Sequence, residues 1–409
     1  MVKTDGPRRL PTAATGALFP ARSRHIPIGA GIHNKTPFPG RPNPGLTPPK
    51  PMKLTEYSET SLPTYDVDLE APPDARWKHV AQKEARNIGR LLDDVVALCV
   101  ERASSFPLVV RPLVIAAGKG LAGLGGRVID NLAASYGQDY VAEIRSIAKH
   151  ADQPLSHVML GNLTYDLCQM AGIYGLGCSS YSCNIDGMPA LVRNMDWVWP
   201  RSTGRHTRLI RFHAFDGHYT SVSVLGCVGV VSAFCPGKWA VTINQAPTEG
   251  ATTRYIAWPV LQRLRSACDR LGSYRQLVDD LQYSPTMTSF FAHVVGTRPK
   301  QHTLITGLGD SFRHRGLKEA ALVQTNHFRG HRDLEKHNGP ERWEDEKGQE
   351  WYCDSQHRSK SLTRRLKAPP RTLAEARKKI CTSAVTSTDT MQQMIFQPAS
   401  GYSRIWVRR

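Results

Sequence analysis

Apolar side chains recur near a helical period from residue 77 to residue 102: Trp77, Val80, Ile88, Leu91, Leu92, Val95, Val96 and Cys99. That spacing predicts a helix, which Ser104-Ser105-Phe106-Pro107 breaks. Residues 108–123 are apolar and glycine-rich. Val128, Ile129, Leu132, Tyr136, Tyr140, Ile144 and Ile147 predict a second amphipathic helix over 127–149. Asp152-Gln153-Pro154 reads as a cap followed by proline at an early helical position, opening a third helix to about Met170. From Cys178 the pattern changes to short β-rich runs between turns: 179–185, 190–193, 207–212, 221–225, 228–234 and 239–244. Asp186-Gly187 is a hairpin signal between the first two. A helix is predicted over 256–270 and another over 375–381. Further strands are predicted over 293–295, 302–306, 321–325, 394–396 and 403–407. Many strands with segregated helices predict an α+β layered fold. Three stretches are expected: a tail over 1–62, a mainly helical segment over 63–177, and a strand-rich domain over 178–409.

The 409 residues suffice for two or three domains. Residues 1–62 lack apolar periodicity and repeat Pro and Gly, so they are expected to be disordered. Lys and Arg number 53 against 35 Asp and Glu, a net charge of +18. Such a balance favours acidic partners, and part of it lies in the tail: Lys3, Arg8, Arg9, Arg22, Arg24, Lys35, Arg41 and Lys50 stand against Asp5 alone. The tail has no interleaved aromatics, so nucleic acid is not the expected partner. Peripheral contact with an anionic membrane is the milder expectation. The nine cysteines are irregularly spaced and form no CxxC pair, which speaks against a disulfide scaffold or zinc ribbon. Residues 1–50 carry no apolar stretch of the secretory kind, and 106–124 is interrupted by Arg111, Pro112 and Lys119. A reducing, cytoplasmic setting is expected. Asn34-Lys35-Thr36 and Asn162-Leu163-Thr164 match the glycosylation pattern and are read as chance. Gly118-Lys119-Gly120-Leu121-Ala122-Gly123 spells GxGxxG outside any clean βαβ context, so no cofactor is assigned. His327, His331 and His337 lack supporting Cys or Glu spacing, so no metal is assigned either.

The chemistry concentrates in Leu176-Gly177-Cys178-Ser179-Ser180 and, one hairpin later, Arg193-Asn194-Met195-Asp196-Trp197. A cation beside a cysteine favours the thiolate, and a carboxylate orients an amine. A cysteine that becomes the first residue of a mature chain has its own α-amine as base, with a pKa of about 7.7–8.0. Gly177 removes side-chain obstruction from the turn that cleavage before Cys178 needs. Judged by residue type alone, Cys178 is a buried structural cysteine, and Cys183 keeps that reading. Arg193 and Asp196 alone are an ordinary ion pair; the combination points to an N-terminal-nucleophile hydrolase. Trp197 and Trp199 line an acyl pocket or fill the core, and the residues leave both open.

These segments resemble the nucleophile region of the choloylglycine hydrolase family, which includes acid ceramidase and the N-acylethanolamine-hydrolysing acid amidase. Pro63-Thr64-Tyr65-Asp66-Val67-Asp68-Leu69-Glu70-Ala71-Pro72-Pro73-Asp74-Ala75-Arg76-Trp77 and Gly161-Asn162-Leu163-Thr164-Tyr165-Asp166-Leu167 resemble that branch's pro-chain. The resemblance runs from about Pro63 onward. It implies an αββα sandwich, self-cleavage before Cys178, and cleaved fragments that stay associated. It implies that Arg193 bonds near the thiolate and Asp196 binds the α-ammonium. Asn244 and Asn326 match the family's oxyanion asparagines, where one donor is worth about 3–4 kcal/mol; either is also a plain turn residue. Arg358, after Asp354-Ser355-Gln356-His357, matches the arginine that closes the site, although the gap from Asn326 is wide. Arg358, Lys360, Arg364, Arg365 and Lys367 form a basic run, either a solvated face or an attractor of anionic head groups or phosphate. The missing secretory signal departs from the family's lysosomal members.

The leading expectation is a self-processing cysteine amidohydrolase acting on a small-molecule N-acyl amide with a lipophilic acyl chain. Acyl transfer onto an amine is the close alternative. An inactive basic protein that binds membrane or nucleic acid is the distant one.

Overall fold

The computed structural model describes residues 57–58, 61–101, 111, 114–115, 137–170, 177–197, 201–246, 258–282, 285–308, 311–338, 341–344, 350–387 and 389–408. Most of the expected tail, most of 106–124, the GxGxxG string, residues 127–136 and Trp199 lie outside them.

Helices open the described chain. After the turn α1 (Pro73–Arg76), helix α2 (Lys78–Glu101) buries Val80, Ile88, Leu91, Leu92, Val95, Val96 and Cys99, the periodic positions of the sequence. Helix α3 (Gln138–His150) follows, then α4 (Leu155–Met170). Asp152 does not cap α4. It sits at φ 51°, and the next amide, Gln153 N–H, donates back to Ala148 O at 2.9 Å. Asp152 therefore takes the left-handed turn that stops α3, a conformation Asp tolerates better than most residues. The Pro154 carbonyl receives the first bonds of α4, from His157 at 3.0 Å and Val158 at 3.3 Å.

The strands form two large sheets. Strands β3 (Ser179–Ile185) and β4 (Met188–Asp196) pair antiparallel across Asp186-Gly187. Both turn residues have positive φ, 52° and 74°, as a two-residue hairpin loop of that twist demands. They join β1 (Tyr57–Ser58), β12 (Leu322–Gln324), β15 (Thr390–Gln397) and β16 (Tyr402–Arg408) in the order β1-β16-β15-β4-β3-β12. The second sheet is an antiparallel run of β5 (Thr207–Ala214), β6 (Gly217–Val224), β7 (Ser232–Cys235), β8 (Trp239–Asn244), β9 (Phe290–Val295), β10 (His302–Leu308) and β11 (Ser311–Gly316). The helical segment adds a strand, β2 (Thr64–Asp68), parallel to β5. Its alternation buries Tyr65 and Val67.

Strand β7 is shorter than 228–234. The Val230 N–H donates to Leu261 O at 3.0 Å rather than to a neighbouring strand, while Val231 O still accepts from Ile243 N–H at 2.9 Å. Leu261 belongs to helix α5 (Val260–Asp269), which is followed by α6 (Tyr274–Gln282), by the short α7 (Arg332–Glu335) and by a separate strand pair, β13 (Arg342–Glu344) with β14 (Glu350–Tyr352).

Side-chain alternation places the layers. On β3, Tyr181, Cys183 and Ile185 pack with Leu362 of α8 (Ser355–Arg365) and with Ala376 and Ile380 of α9 (Leu373–Ile380). Ser180 and Ser182 face the opposite way, onto His293 of the second sheet. Phe396 stacks on Phe234 between the sheets at 5.6 Å. The second sheet's other face carries Phe212, which meets Trp77 edge-on at 5.8 Å. The fold is α+β, and no described helix is long and apolar enough to cross a membrane.

Candidate active site

The β3–β4 hairpin explains how three residues distant by one turn converge. Cys178 immediately precedes β3, and Ser180 pairs with Arg193 across the ladder. Cys178 is buried, 2% exposed. Its Sγ lies 3.3 Å from Arg193 Nη2 and 3.7 Å from the Asp196 carbonyl oxygen. Arg193 is anchored by the second sheet: Nη1 donates to Val231 O at 3.1 Å and to the Ser232 hydroxyl, and Nη2 donates to Ile243 O. Its Nε is buried without a partner. No carboxylate is among its hydrogen-bond acceptors, so its charge is held by neutral dipoles and by the thiol.

The Asp196 carboxylate sits against the Gly177–Cys178 junction. A methyl group on Gly177 would lie 3.1 Å from Asp196 Oδ2, closer than an ordinary contact. Thr390, paired with Asp196 across β15 and β4, donates its hydroxyl to Oδ1 at 2.5 Å. Burial pushes the Asp196 carboxyl up to about 7, against the pull of Arg358, Thr390 and Arg193. It is thus suited to exchange a proton near neutral pH.

Arg358 and Asn326 come to the same place. Arg358 Nη1 donates to Cys178 O and to the Ser179 hydroxyl, both at 2.7 Å. Its Nη2 donates to Asn326 Oδ1 at 2.9 Å, and the Cys353 carbonyl takes Nε at 3.0 Å. Asn326 Nδ2 donates to Gln245 O at 2.5 Å, and Asn326 N–H to the Ser355 hydroxyl at 2.7 Å. The helix that delivers Arg358 buries Ser355, Arg358, Ser359, Ser361 and Leu362, so it carries no apolar period to be read.

Asn244 is placed differently. Its Nδ2 is shared among Ser180 Oγ at 3.3 Å, Gln324 O at 3.2 Å and Thr325 O at 3.3 Å, while Oδ1 is buried without a partner. Reversing the amide would set Oδ1 against two carbonyls, so the amide hydrogens point at these groups rather than at Cys178. Asn244 instead starts a buried polar chain. Ser180 Oγ lies 3.1 Å from His293 Nδ1, His293 Nε2 2.8 Å from Ser182 Oγ, Ser182 Oγ 2.9 Å from His302 Nδ1, and His302 Nε2 3.0 Å from Asn184 Oδ1. Burial keeps both rings neutral, His302 at about 4 and His293 well below its ordinary value. Asn184 Oδ1 only accepts, so His302 carries its proton on Nε2. Every link then donates in one direction, from Asn244 to Asn184. The signal for this chain is the alternation of Ser180, Ser182 and Asn184 along one face of β3; its histidine partners come from another sheet.

The other candidates are quickly placed. Trp197 joins the buried cluster that holds Cys178, and Cys183 lies on the opposite face of β3, its thiol pushed up to about 12 by burial. Asn162 is fully buried, donating to Val158 O and Gly226 O and accepting from Val228 N–H, so the folded chain offers no acceptor there. Among the described residues no group of three His, Cys, Asp or Glu side chains is arranged to hold a metal ion.

Neither a family model nor a curated protein sequence matches the chain. Among solved structures it is similar to a Caenorhabditis elegans ortholog of N-acylethanolamine-hydrolyzing acid amidase, at 16% identity and a TM-score of 0.45, over 56% of this chain and 99% of that one. It is also similar to an Anbu (Gly-1) mutant from Hyphomicrobium sp. strain MC1, at 11% identity and a TM-score of 0.28, over 56% of this chain and 84% of that one.

Proposed function

We propose that the chain is a self-processing cysteine amidohydrolase of the N-terminal-nucleophile kind, with 63–177 as its pro-segment and an αββα layering around the site. The observation that carries this reading is the enclosure of one peptide bond. The Cys178 thiol touches a guanidinium, the Cys178 carbonyl is gripped by Arg358, and the Asp196 carboxyl lies against Gly177.

In the first reaction, Cys178 Sγ gives up its proton to Asp196 and attacks the Gly177 carbonyl carbon. The Gly177–Cys178 C–N bond breaks, the proton passes to the Cys178 nitrogen, and a thioester links the two parts. Water then adds to the thioester. Its oxygen becomes part of the Gly177 carboxyl group, and the thiol is restored. The freed α-amine is the base of the second reaction. It takes the thiol proton, Sγ attacks the amide carbonyl of the substrate, and the expelled amine leaves with that proton. Water hydrolyses the acyl-enzyme to the acid. Arg193 stabilises the thiolate throughout. Asn326 keeps one amide hydrogen beyond its bond to Gln245 O and is the readier oxyanion donor. Asn244 serves only after releasing the Gln324 and Thr325 carbonyls.

The substrate class is an N-acyl amide with a lipophilic acyl chain, a reading supported by the resemblance of Gly161–Leu167 and Pro63–Trp77 to lipid-amidase pro-chains. The fragments remain together, because β2 belongs to the second sheet and Glu84 and Glu143 of the pro-segment pair with Arg208 and Arg265.

Intact mass of purified wild type beside Cys178→Ala tests the proposal. The expected result is two pieces, 1–177 and 178–409, from wild type, and one uncut chain from the variant. A wild type that stays whole after incubation at acid and at neutral pH sinks it.

A further inference from the structure

A second feature lies one residue away from the site on both of its late elements. Next to Asn326 and after Arg358, a cavity of about 480 Å³ is lined by His327, Arg329, Glu335, Lys360, Arg364 and Lys367, among others. Four permanent cations meet one carboxylate there. Glu335 is already engaged, its Oε1 accepting the Gly330 N–H at 2.6 Å. Among the described residues none of the four cations is ion-paired.

The positions are not those of a merely solvated helix face. Lys360 and Arg364 share one face of α8, and Lys367 follows just past its end, where cations also complement the helix dipole. Arg329 comes from a different element and points at that same face. Its Nη1 is held at 3.3 Å by each of the Ser359 and Thr363 hydroxyls, so the guanidinium is fixed while its charge is left open. The surrounding field is felt by His327. Burial, then Arg358, Arg329, Arg315 and Lys360, push its imidazole down to about 4. A concentration of like charge in a concave site is costly unless an anion occupies it.

We propose that this cavity binds a phosphate-bearing anion, with Arg329 as the fixed fork and Lys360, Arg364 and Lys367 as the surrounding charges. Several oxygens on one centre suit cations arriving from two elements. The volume exceeds that of a bare phosphate and falls among small-ligand pockets of about 300–1,000 Å³, so an organic phosphate ester or a lipid head group fits. His327 Nδ1 lies 2.7 Å from the Ser355 hydroxyl, which also accepts the Asn326 N–H, so an occupant of the cavity is two hydrogen bonds from the candidate oxyanion residue. The proposal goes beyond the amidohydrolase reading and does not depend on it.

Binding is measured on the full chain at constant ionic strength, without reference to amide turnover. Glycerol 3-phosphate is titrated calorimetrically, and sedimentation is followed with phosphatidylcholine vesicles with and without phosphatidate. Arg329→Gln/Arg364→Gln removes two exposed cations from the cavity. Arg371→Gln/Lys378→Gln removes two exposed cations elsewhere and serves as the control. The expected result is binding weakened about tenfold or more by the first pair, the loss of charge-assisted hydrogen bonds, and unchanged by the second. Binding of glycerol 3-phosphate with that pattern assigns a soluble ester; binding of phosphatidate vesicles alone with that pattern assigns a lipid head group. Absence of both, or equal loss in the two double variants, overturns the site.

Discussion

Among the described residues the two most deeply buried arginines are Arg193 and Arg265, 1% and 0% exposed, and their surroundings are opposite. Arg265, on α5, donates to both oxygens of Glu143 at 3.0 and 3.2 Å and to Asp269 at 2.9 Å, with its guanidinium 4.0 Å from the Phe212 ring centre. Glu143 is further bonded by Trp77 Nε1 at 2.7 Å and Arg76 at 2.9 Å. Arg193 hydrogen-bonds only to carbonyls, one hydroxyl and a thiol, and one of its nitrogens has no partner. Burying a charge is expensive unless it is compensated. Arg265 is compensated within the resting fold and ties the 63–177 segment to the rest. Arg193 has no carboxylate bonded to it, and a thiolate at Cys178 would be the one directly bonded opposite charge. The difference separates a structural cation from a chemical one by what surrounds it rather than by how deeply it is buried.

The sharpest way to break that contrast is to remove each guanidinium. Arg265→Met strands Asp269 and leaves Glu143 with Arg76 as its remaining cation, and the expected loss of folding stability is about 3–5 kcal/mol. Urea unfolding of the uncut Cys178→Ala background reads it. Combining the change with Asp269→Asn should recover part of the loss, because the stranded charge is then gone. A loss below about 1 kcal/mol would make the cluster an ordinary surface-like network and collapse the comparison.

Arg193→Met should behave in reverse. Three oxygen acceptors and the thiol lose a donor, but a buried charge without a bonded carboxylate also disappears, so stability should change by no more than about 1 kcal/mol. Cleavage before Cys178 should slow by about 10²–10³, the scale of losing one preorganised charge partner at a reacting atom. The time course of fragment appearance by mass spectrometry checks this. Unfolding without an effect on cleavage would make Arg193 a structural cation like Arg265.

How much of this is legible in the residues follows the same division. The hairpin and its Asp186-Gly187 turn are readable, and with them the convergence of Cys178, Arg193 and Asp196, because all lie within one local motif. Arg358 and Asn326 are placed through resemblance and do meet at Cys178. Compensation is not readable. Glu143 finds Arg265 only through packing of helices far apart in sequence, and Asn244 spends its amide on carbonyls of Gln324 and Thr325 that no local pattern announces. Helix α8 shows in the sequence only as a basic run, since its buried face is serine and arginine. Strand β2 shows only as part of a motif, since its partner β5 lies far along the chain.

The contrast extends to carboxylates and gives a pH test. Burial alone would raise Glu84, but Arg208, Asn87 and Tyr65 overcome it and hold the carboxyl at about 2. Asp166 is more deeply enclosed, with no cation among the groups that act on it. Burial raises it to about 7 despite bonds from the Thr288 hydroxyl at 2.6 Å and Val260 N–H at 3.2 Å. A folded pKa raised above the unfolded value means that the native chain binds the extra proton. The stability Asp166 contributes is thus full below about pH 4 and lost as pH rises through about 7. Asp196 acts in the same direction in the uncut chain. His302 and His327 oppose both, since their lowered pKa values make stability rise over about pH 4–6.5, and the lowered His293 acts in the same direction. Asp166→Asn removes one falling component. Relative to its parent, the variant should gain about 2 kcal/mol between pH 4.5 and pH 7.5, from about 1.4 kcal/mol per unit discounted for relaxation. Parallel urea titrations at the two pH values measure it, and a constant difference would show that Asp166 is ionised throughout.

The smallest effect tests whether the Arg265 cluster acts as one unit. Tyr219 donates its hydroxyl to Asp269 Oδ1 at 2.6 Å, beside the bond from Arg265 Nε to the same oxygen. Tyr219→Phe removes one hydrogen bond to a charged acceptor and should cost about 1.5 kcal/mol. If Arg265 and Tyr219 jointly hold the Asp269 charge, the two changes are not additive. With Arg265 absent, burial raises the Asp269 carboxyl further, and in the fraction of chains where it takes up a proton the hydroxyl bond becomes a neutral one of about half the strength. Tyr219→Phe should then cost measurably less in the Arg265→Met background than in wild type, a coupling that a double-mutant cycle of urea midpoints resolves. Full additivity would mean that Arg265 compensates Glu143 alone. The contrast with Arg193 would then rest on one carboxylate instead of two.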